Sequence, residues 1–143
     1  MSATLAARGS AARCPARARR GRAPRRSGRA VAVRAEIAEV TSADFDVTVA
    51  GAKDAGALLV VDCYTDWCGP CKMIYPELQK LDDELGDKAR FVKLNCNQAN
   101  KELAKGMGVK SVPTFFLYKE GEMVDMMTGA KIDALRALID KHV

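Results

Sequence analysis

Histidine is almost missing from this chain: among 143 residues the only one is His142, next to the C-terminus. Structural zinc is held by four Cys or His ligands, usually as two close pairs. The five cysteines, Cys14, Cys63, Cys68, Cys71 and Cys96, supply one close pair only, so a zinc site is not expected. Nor are they spaced like the disulfide framework of a small secreted domain. No apolar stretch reaches the roughly 20 residues that a membrane-spanning helix needs. The N-terminal region has no apolar run of the kind a secretory signal carries. After residue 35 there is no internal repeat and no low-complexity segment.

Acid is missing from one end. Residues 1–35 contain ten Arg and no Lys, Asp or Glu. The rest of the chain holds thirteen Lys and Arg against all eighteen Asp and Glu, a charge of −5, so the overall +5 hides two unlike segments. A basic protein suggests nucleic acid; an acidic domain behind a basic leader does not, and no nucleic-acid partner is expected. The leader is too poor in large apolar side chains to fold alone. Arginine-rich, acid-free composition marks an organelle transit peptide, although serine is sparse for one. Removal near Val33-Arg34-Ala35 would take Cys14 with it. The alternative is a retained basic tail that binds polyanions. The expected division is therefore 1–35 as a disordered transit peptide and 36–143 as one folded domain.

Within 36–143 the pattern alternates between strands and helices. Glu36 to Val40 alternates as a short strand. Thr41 with Asp44 three residues on resembles a capping box with Asp in place of Glu. Phe45 and Val49 share a helical face, with Gly51 and Gly56 expected to end that helix. Ala57 to Tyr64 is almost continuously apolar, as in a strand covered on both faces. A helix begins near Pro70 with Ile74, Leu78, Leu81 and Leu85 on one stripe. Pro76 should kink it and Gly86 should end it. Arg90 to Asn95 reads as a strand and Gln98 to Lys105 as a short helix stopped by Gly106 and Gly108. Thr114 to Tyr118 and Met123 to Thr128 form a hairpin around Lys119-Glu120-Gly121-Glu122. Lys131 to His142 is the last helix. The order β-α-β-α-β-α-β-β-α implies an α/β fold, with parallel strands first and antiparallel edge strands last.

The chemistry lies in Trp67-Cys68-Gly69-Pro70-Cys71-Lys72, at a strand end and a helix start. Two cysteines at this spacing form a dithiol that can close to a disulfide and reopen. Only a thiolate attacks a disulfide, and the free N–H groups and dipole of a helix N-terminus favour negative charge on Cys68. Cys71, one turn on, can then attack Cys68 and release the reduced target. Gly69 and Pro70 keep the ring small. Asp62, inside the apolar strand, is costly to ionise there, so burial should raise its pKa and make it a base for the Cys71 proton. The alternative is a carboxylate exposed at the strand end.

These residues together resemble the thioredoxin family, and the resemblance runs from about residue 36 to the end. It rests on the WCGPCK motif, Asp62, Pro76, Lys93, Val112-Pro113-Thr114 and Gly129. It implies the thioredoxin fold, a central mixed sheet flanked by helices on both faces. It also implies protein-disulfide reductase activity with no cofactor beyond a Cys68–Cys71 disulfide, and a monomer. By the same resemblance Pro113 follows a cis peptide bond, the backbone of Val112 pairs with the bound target, and Lys93 tunes Asp62. Trp67, Gly69, Pro70, Val112, Pro113 and Gly129 would then form the target-binding surface.

Leu94-Asn95-Cys96-Asn97-Gln98, the lysine- and leucine-bearing segment after it, and Thr128-Gly129-Ala130-Lys131 resemble the chloroplast f-type members. That implies a chloroplast stromal protein, with the mitochondrial matrix as the alternative location. Ferredoxin–thioredoxin reductase would be the electron donor. Light-regulated stromal enzymes such as fructose-1,6-bisphosphatase would be the targets. Cys96 would be a regulatory site of oxidative modification; the alternative is a merely tolerated surface thiol.

Three positions depart from the pattern. Tyr64 stands where many members have Trp, and Asp66 precedes Trp67 where f-types often have a neutral residue. Cys63 stands where Phe or Met is expected, and reads as a small buried hydrophobe facing away from Asp62. Lys72, Lys93, Lys110 and Lys131 should form a cationic rim around the dithiol. The competing readings are another organellar isoform with different targets, and a thioredoxin-fold binding subunit or holdase without redox turnover.

Overall fold

A computed structural model of the chain describes residues 36–143. The arginine-rich leader, Cys14 and the expected processing point lie outside the described residues. The elements in chain order are β1 (Ala38–Val40), α1 (Phe45–Asp54), β2 (Leu58–Tyr64), α2 (Gly69–Leu85), β3 (Ala89–Asn95), a 3-10 turn (Gln98–Asn100), α3 (Lys101–Gly106), β4 (Thr114–Lys119), β5 (Glu122–Thr128) and α4 (Ile132–His142). The five strands form one sheet in the order β1-β3-β2-β4-β5. β1 and β2 both run parallel to β3, while β4 is antiparallel to β2 and β5 to β4.

β2 is the central strand, and six of its seven residues are buried. Alternation sends its side chains to two different cores. Leu58 and Val60 pack with Ile74, Leu78 and Leu81 of α2 and with Leu135 and Ile139 of α4. Leu59, Val61 and Cys63 pack instead with Phe45 and Ala52 of α1, and Leu103 of α3 lies against that cluster. Helices therefore cover both faces, and the expected mixed-sheet fold is the observed one. Leu78 is fully buried, and burial of a leucine side chain of this kind is worth about 1.5–3 kcal/mol.

Local expectations were less exact at element ends. β1 begins at Ala38, because only Ala38–Val40 find partners on β3. The Thr41 and Asp44 side chains do not cap backbone N–H groups: the Thr41 hydroxyl donates to the Asp44 carboxylate at 2.7 Å, and the Asp44 N–H to the Thr41 carbonyl at 3.1 Å. Helix α1 then starts at Phe45. Gly51 lies inside α1 rather than ending it; the chain leaves the helix at Ala55 and turns at Gly56, whose φ is +64°. The Gln98 to Lys105 segment is not one helix, because the Asn97 side chain accepts from the N–H groups of Ala99 and Asn100 and winds a 3-10 turn first.

The β4–β5 hairpin turns on Glu120 and Gly121, with φ of +55° and +89°, between the paired residues Lys119 and Glu122. A two-residue turn with both central residues at positive φ matches the right-handed twist of its strands. At Gly121 a Cβ would meet only the flexible Lys53 side chain, at 3.4 Å, so the conformation rather than space favours glycine. Gly121→Ala is therefore expected to cost about 1 kcal/mol. Chemical denaturation of the two proteins would measure it, and equal midpoints would show that the turn relaxes without cost.

Candidate active site

The loop after β2 delivers the two cysteines to the start of α2. Thr65 accepts from the Cys68 N–H at 3.1 Å, closing a turn over Asp66 and Trp67. Cys68 is the N-cap of α2, and its sulfur accepts from the Cys71 N–H at 3.3 Å. Pro70 sits in the first turn, where its missing N–H costs nothing. The two cysteines are joined in a disulfide with Cα atoms 5.4 Å apart. Both are buried, whereas Trp67 beside them is 81% exposed, as is Met73.

Cys71 borders a cavity of about 380 Å³ whose walls include Asp62, Tyr64, Thr65, Lys72, Tyr75 and Lys93. Asp62 is 5% exposed, and its Oδ1 has no hydrogen-bond partner among the described residues. Burial pushes its carboxyl up to about 7, against a smaller opposing pull from Lys93. Asp62 and Lys93 are register partners on β2 and β3. The lysine does not close an ion pair with the carboxylate. Its ammonium lies instead over the Tyr75 and Tyr64 rings, 5.2 and 5.9 Å from their centroids. One cavity thus takes a carboxyl poised near neutrality and one of the two cysteines as parts of its wall.

The second half of the site comes from two loops. The Val112–Pro113 peptide bond is cis. Pro113 directly precedes β4, whose first residue, Thr114, pairs with Cys63 of β2. The Gly129 N–H donates to the Pro113 carbonyl at 2.9 Å, and Gly129 has a φ of +99°. This ties the loop after β5 to the proline loop. Lys72, Lys110 and Lys131 are exposed, each on a segment adjoining one of these pieces.

Sequence reasoning missed Tyr75, Asn95 and the surroundings of Cys63. Tyr75 lies four residues after Cys71, so it shares that face of α2; the spacing was there to be read. Asn95 donates to the Asp66 carboxylate at 3.0 Å, so that charge is held by the end of β3. Cys96 does not line the cavity; it packs half-buried in the core that contains Cys63. Among the described residues no cluster of three His, Cys, Asp or Glu side chains is placed to hold a metal ion. None of their helices is long and apolar enough to cross a membrane.

Comparison with known proteins gives a consistent picture. The family model described as thioredoxin matches residues 36–141. An F-type chloroplastic thioredoxin of Mesembryanthemum crystallinum is 48% identical over 105 residues, covering 73% of this chain and 54% of the relative. The crystal structure of Chlamydomonas reinhardtii thioredoxin f2 superposes with a TM-score of 0.69 at 49% identity, covering 74% of this chain and 95% of that one. A thioredoxin f2 solved in complex with ferredoxin:thioredoxin reductase gives a TM-score of 0.66 at 41% identity, covering 74% and 94%. The chain spans a little over half the length of the curated f-type relatives it matches, 54% and 58% for the first two.

Proposed function

The chain belongs to the thioredoxin family, and we propose that it works as an f-type protein-disulfide reductase. The observation that carries this reading is the Cys68–Cys71 disulfide at the N-terminus of α2, with Cys71 bordering the cavity of the buried Asp62. In the reduced protein the Cys68 thiolate attacks one sulfur of a target disulfide and displaces the other as a thiolate. Asp62 takes the Cys71 proton, and the Cys71 thiolate attacks Cys68. The Cys68–target bond breaks, the target leaves with two thiols, and the protein is left with its own disulfide. Two electrons pass to the target, and no cofactor beyond the cysteine pair is needed.

The f-type relatives support a place in the chloroplast stroma, with residues 1–35 as the removable leader and 36–143 as the working domain. The relative solved with ferredoxin:thioredoxin reductase supports that enzyme as electron donor. Light-regulated stromal enzymes such as fructose-1,6-bisphosphatase are the proposed targets, met by a monomer. Cys68, Cys71, Asp62 and Lys93 carry the chemistry. Trp67, Gly69, Pro70, Val112, Pro113 and Gly129 form the contact surface, and Cys96 is a site of regulation. Insulin reduction tests the activity, and comparison of ferredoxin–thioredoxin reductase with an NADPH-dependent reductase tests the subtype. No insulin reduction would return the chain to a binding or holdase role.

Target choice gives a further expected result. Lys72, Lys110 and Lys131 are exposed cations on a domain of net negative charge. Such a rim steers acidic target loops and raises encounter rate more than affinity. Its reach is screened over about 8 Å at physiological salt. Activation of fructose-1,6-bisphosphatase is expected to fall steeply with ionic strength, while reduction of a small uncharged disulfide barely changes. Lys110→Glu with Lys131→Glu should slow the first and spare the second. An equal response of both reactions would mean that the surface around Trp67 and Val112 selects targets without the rim.

A further inference from the structure

Two thiols outside the Cys68–Cys71 centre share one core at the ends of neighbouring strands. Cys63 is the sixth residue of β2 and is fully buried; Cys96 immediately follows β3 and is half-buried. β2 and β3 are parallel, with Cys63 opposite Leu94. Cys96 is two residues beyond Leu94, so it projects from the same sheet face. Its N–H donates to the Tyr64 carbonyl at 2.8 Å, which holds it against the end of β2. Cys96 packs against the buried cluster that holds Cys63, and its thiol donates to the Leu94 carbonyl at 3.8 Å. The two cysteines share this core with Val61, Leu94 and Phe116, on the sheet face opposite Asp62.

We propose that Cys63 and Cys96 form a second dithiol, which a small-molecule disulfide of the glutathione type oxidises to an intramolecular Cys63–Cys96 bond. Their environments divide the roles. Cys96 is the reachable thiol, and the neighbouring Cys63 thiol favours its thiolate, against the opposing effects of its own burial and the Asp62 charge. In the reduced pair Cys63 keeps its proton: the adjacent Cys96, complete burial and the nearby Asp62 all oppose its ionisation. The Cys96 thiolate attacks the small disulfide, forming a mixed disulfide on Cys96 and releasing one small thiolate. With Cys96 held in the mixed disulfide its charge no longer opposes ionisation of Cys63, which gives up its proton, and the Cys63 thiolate then attacks the Cys96 sulfur. The mixed disulfide breaks and the second small thiol leaves with the Cys63 proton. Two protein thiols lose two electrons, and one small disulfide becomes two thiols. On this account modification of Cys96 is transient, and the lasting product ties β2 to the end of β3.

The proposal stands apart from the reading of Cys68–Cys71, which insulin reduction tests by itself. The test uses the full chain with the Cys68–Cys71 disulfide closed and the other cysteines reduced. It is incubated with oxidised glutathione, thiol-blocked, digested without reductant and mapped by mass spectrometry. The expected product is a Cys63–Cys96 linked peptide with no glutathione retained on either residue; a Cys14 peptide is read separately. Cys63→Ala should lose the linked peptide and accumulate glutathione on Cys96. Cys96→Ser should leave Cys63 unmodified. Should Cys63→Ala fail to fold by circular dichroism, Cys63→Val fills the site and carries the same expectation. Stable glutathione on Cys96 of the unsubstituted protein beside a free Cys63 thiol would overturn the proposal, as would no reaction at either residue.

Discussion

Cys68→Ser is expected to reduce turnover of a protein disulfide to background, whereas Cys71→Ser should still attack and accumulate mixed disulfides through Cys68. Overall burial does not separate the two residues, since they are 3% and 4% exposed. Their surroundings do. Cys68 caps α2, its sulfur accepts the Cys71 N–H, and the exposed Trp67 adjoins it. Backbone donors and the helix dipole at that position stabilise a thiolate. Cys71 lies within the first turn and faces the cavity of Asp62 instead. Serine at position 68 removes the nucleophile; a hydroxyl is not ionised near neutral pH and forms no bond to sulfur that this exchange can use. Serine at position 71 removes only the group that resolves the intermediate. Target trapping with each variant, read on non-reducing gels and mapped by mass spectrometry, would measure the difference. Equal trapping by both would sink the assignment of unequal roles.

The fold was legible because β2 and α2 carry unmistakable patterns. An apolar run interrupted only by Asp62, then a cysteine pair with proline, then a stripe at Ile74, Leu78 and Leu81 leaves few alternatives to a buried strand feeding a helix. The ends of elements were not legible, because side-chain hydrogen bonds set them. Thr41 bonds to the Asp44 side chain rather than capping α1, and Asn97 winds a 3-10 turn before α3. The membership of the cavity was half legible. Asp62 was identifiable from its place in the apolar strand and Lys93 by resemblance, yet the sequence does not say that the lysine rests over two tyrosine rings instead of meeting the carboxylate. Cys63 shows the limit most clearly. Strand parity placed it opposite Asp62, but its sharing of one core with Cys96 depends on the register of β2 against β3, which no local pattern encodes.

Asp62→Asn is expected to flatten the pH dependence of stability between about pH 4 and 7 and to slow release of the reduced target. A buried carboxyl that titrates near 7 in the folded chain, and near 3.9 when unfolded, binds its proton more tightly folded. In that interval the folded state carries more protons than the unfolded state, so stability falls as pH rises. The favourable contribution is fully present below the unfolded value and is lost once pH passes about 7. Its full size is about 4 kcal/mol, as an upper bound. The asparagine variant has no proton to lose, so its advantage over the parent should grow across the interval and level off above it. A constant packing or hydrogen-bond offset from the amide would shift the whole curve without changing that slope. Denaturant unfolding at a series of pH values measures it directly; parallel curves would mean that Asp62 does not titrate as a buried acid. The same carboxylate is the proposed acceptor of the Cys71 proton. In rapid-mixing experiments the parent's resolution step should accelerate as pH rises through about 7, and the variant should lose that acceleration while its initial attack through Cys68 changes less. Stability gained and resolution lost in one substitution would identify the buried charge as a cost to the fold that serves the reaction.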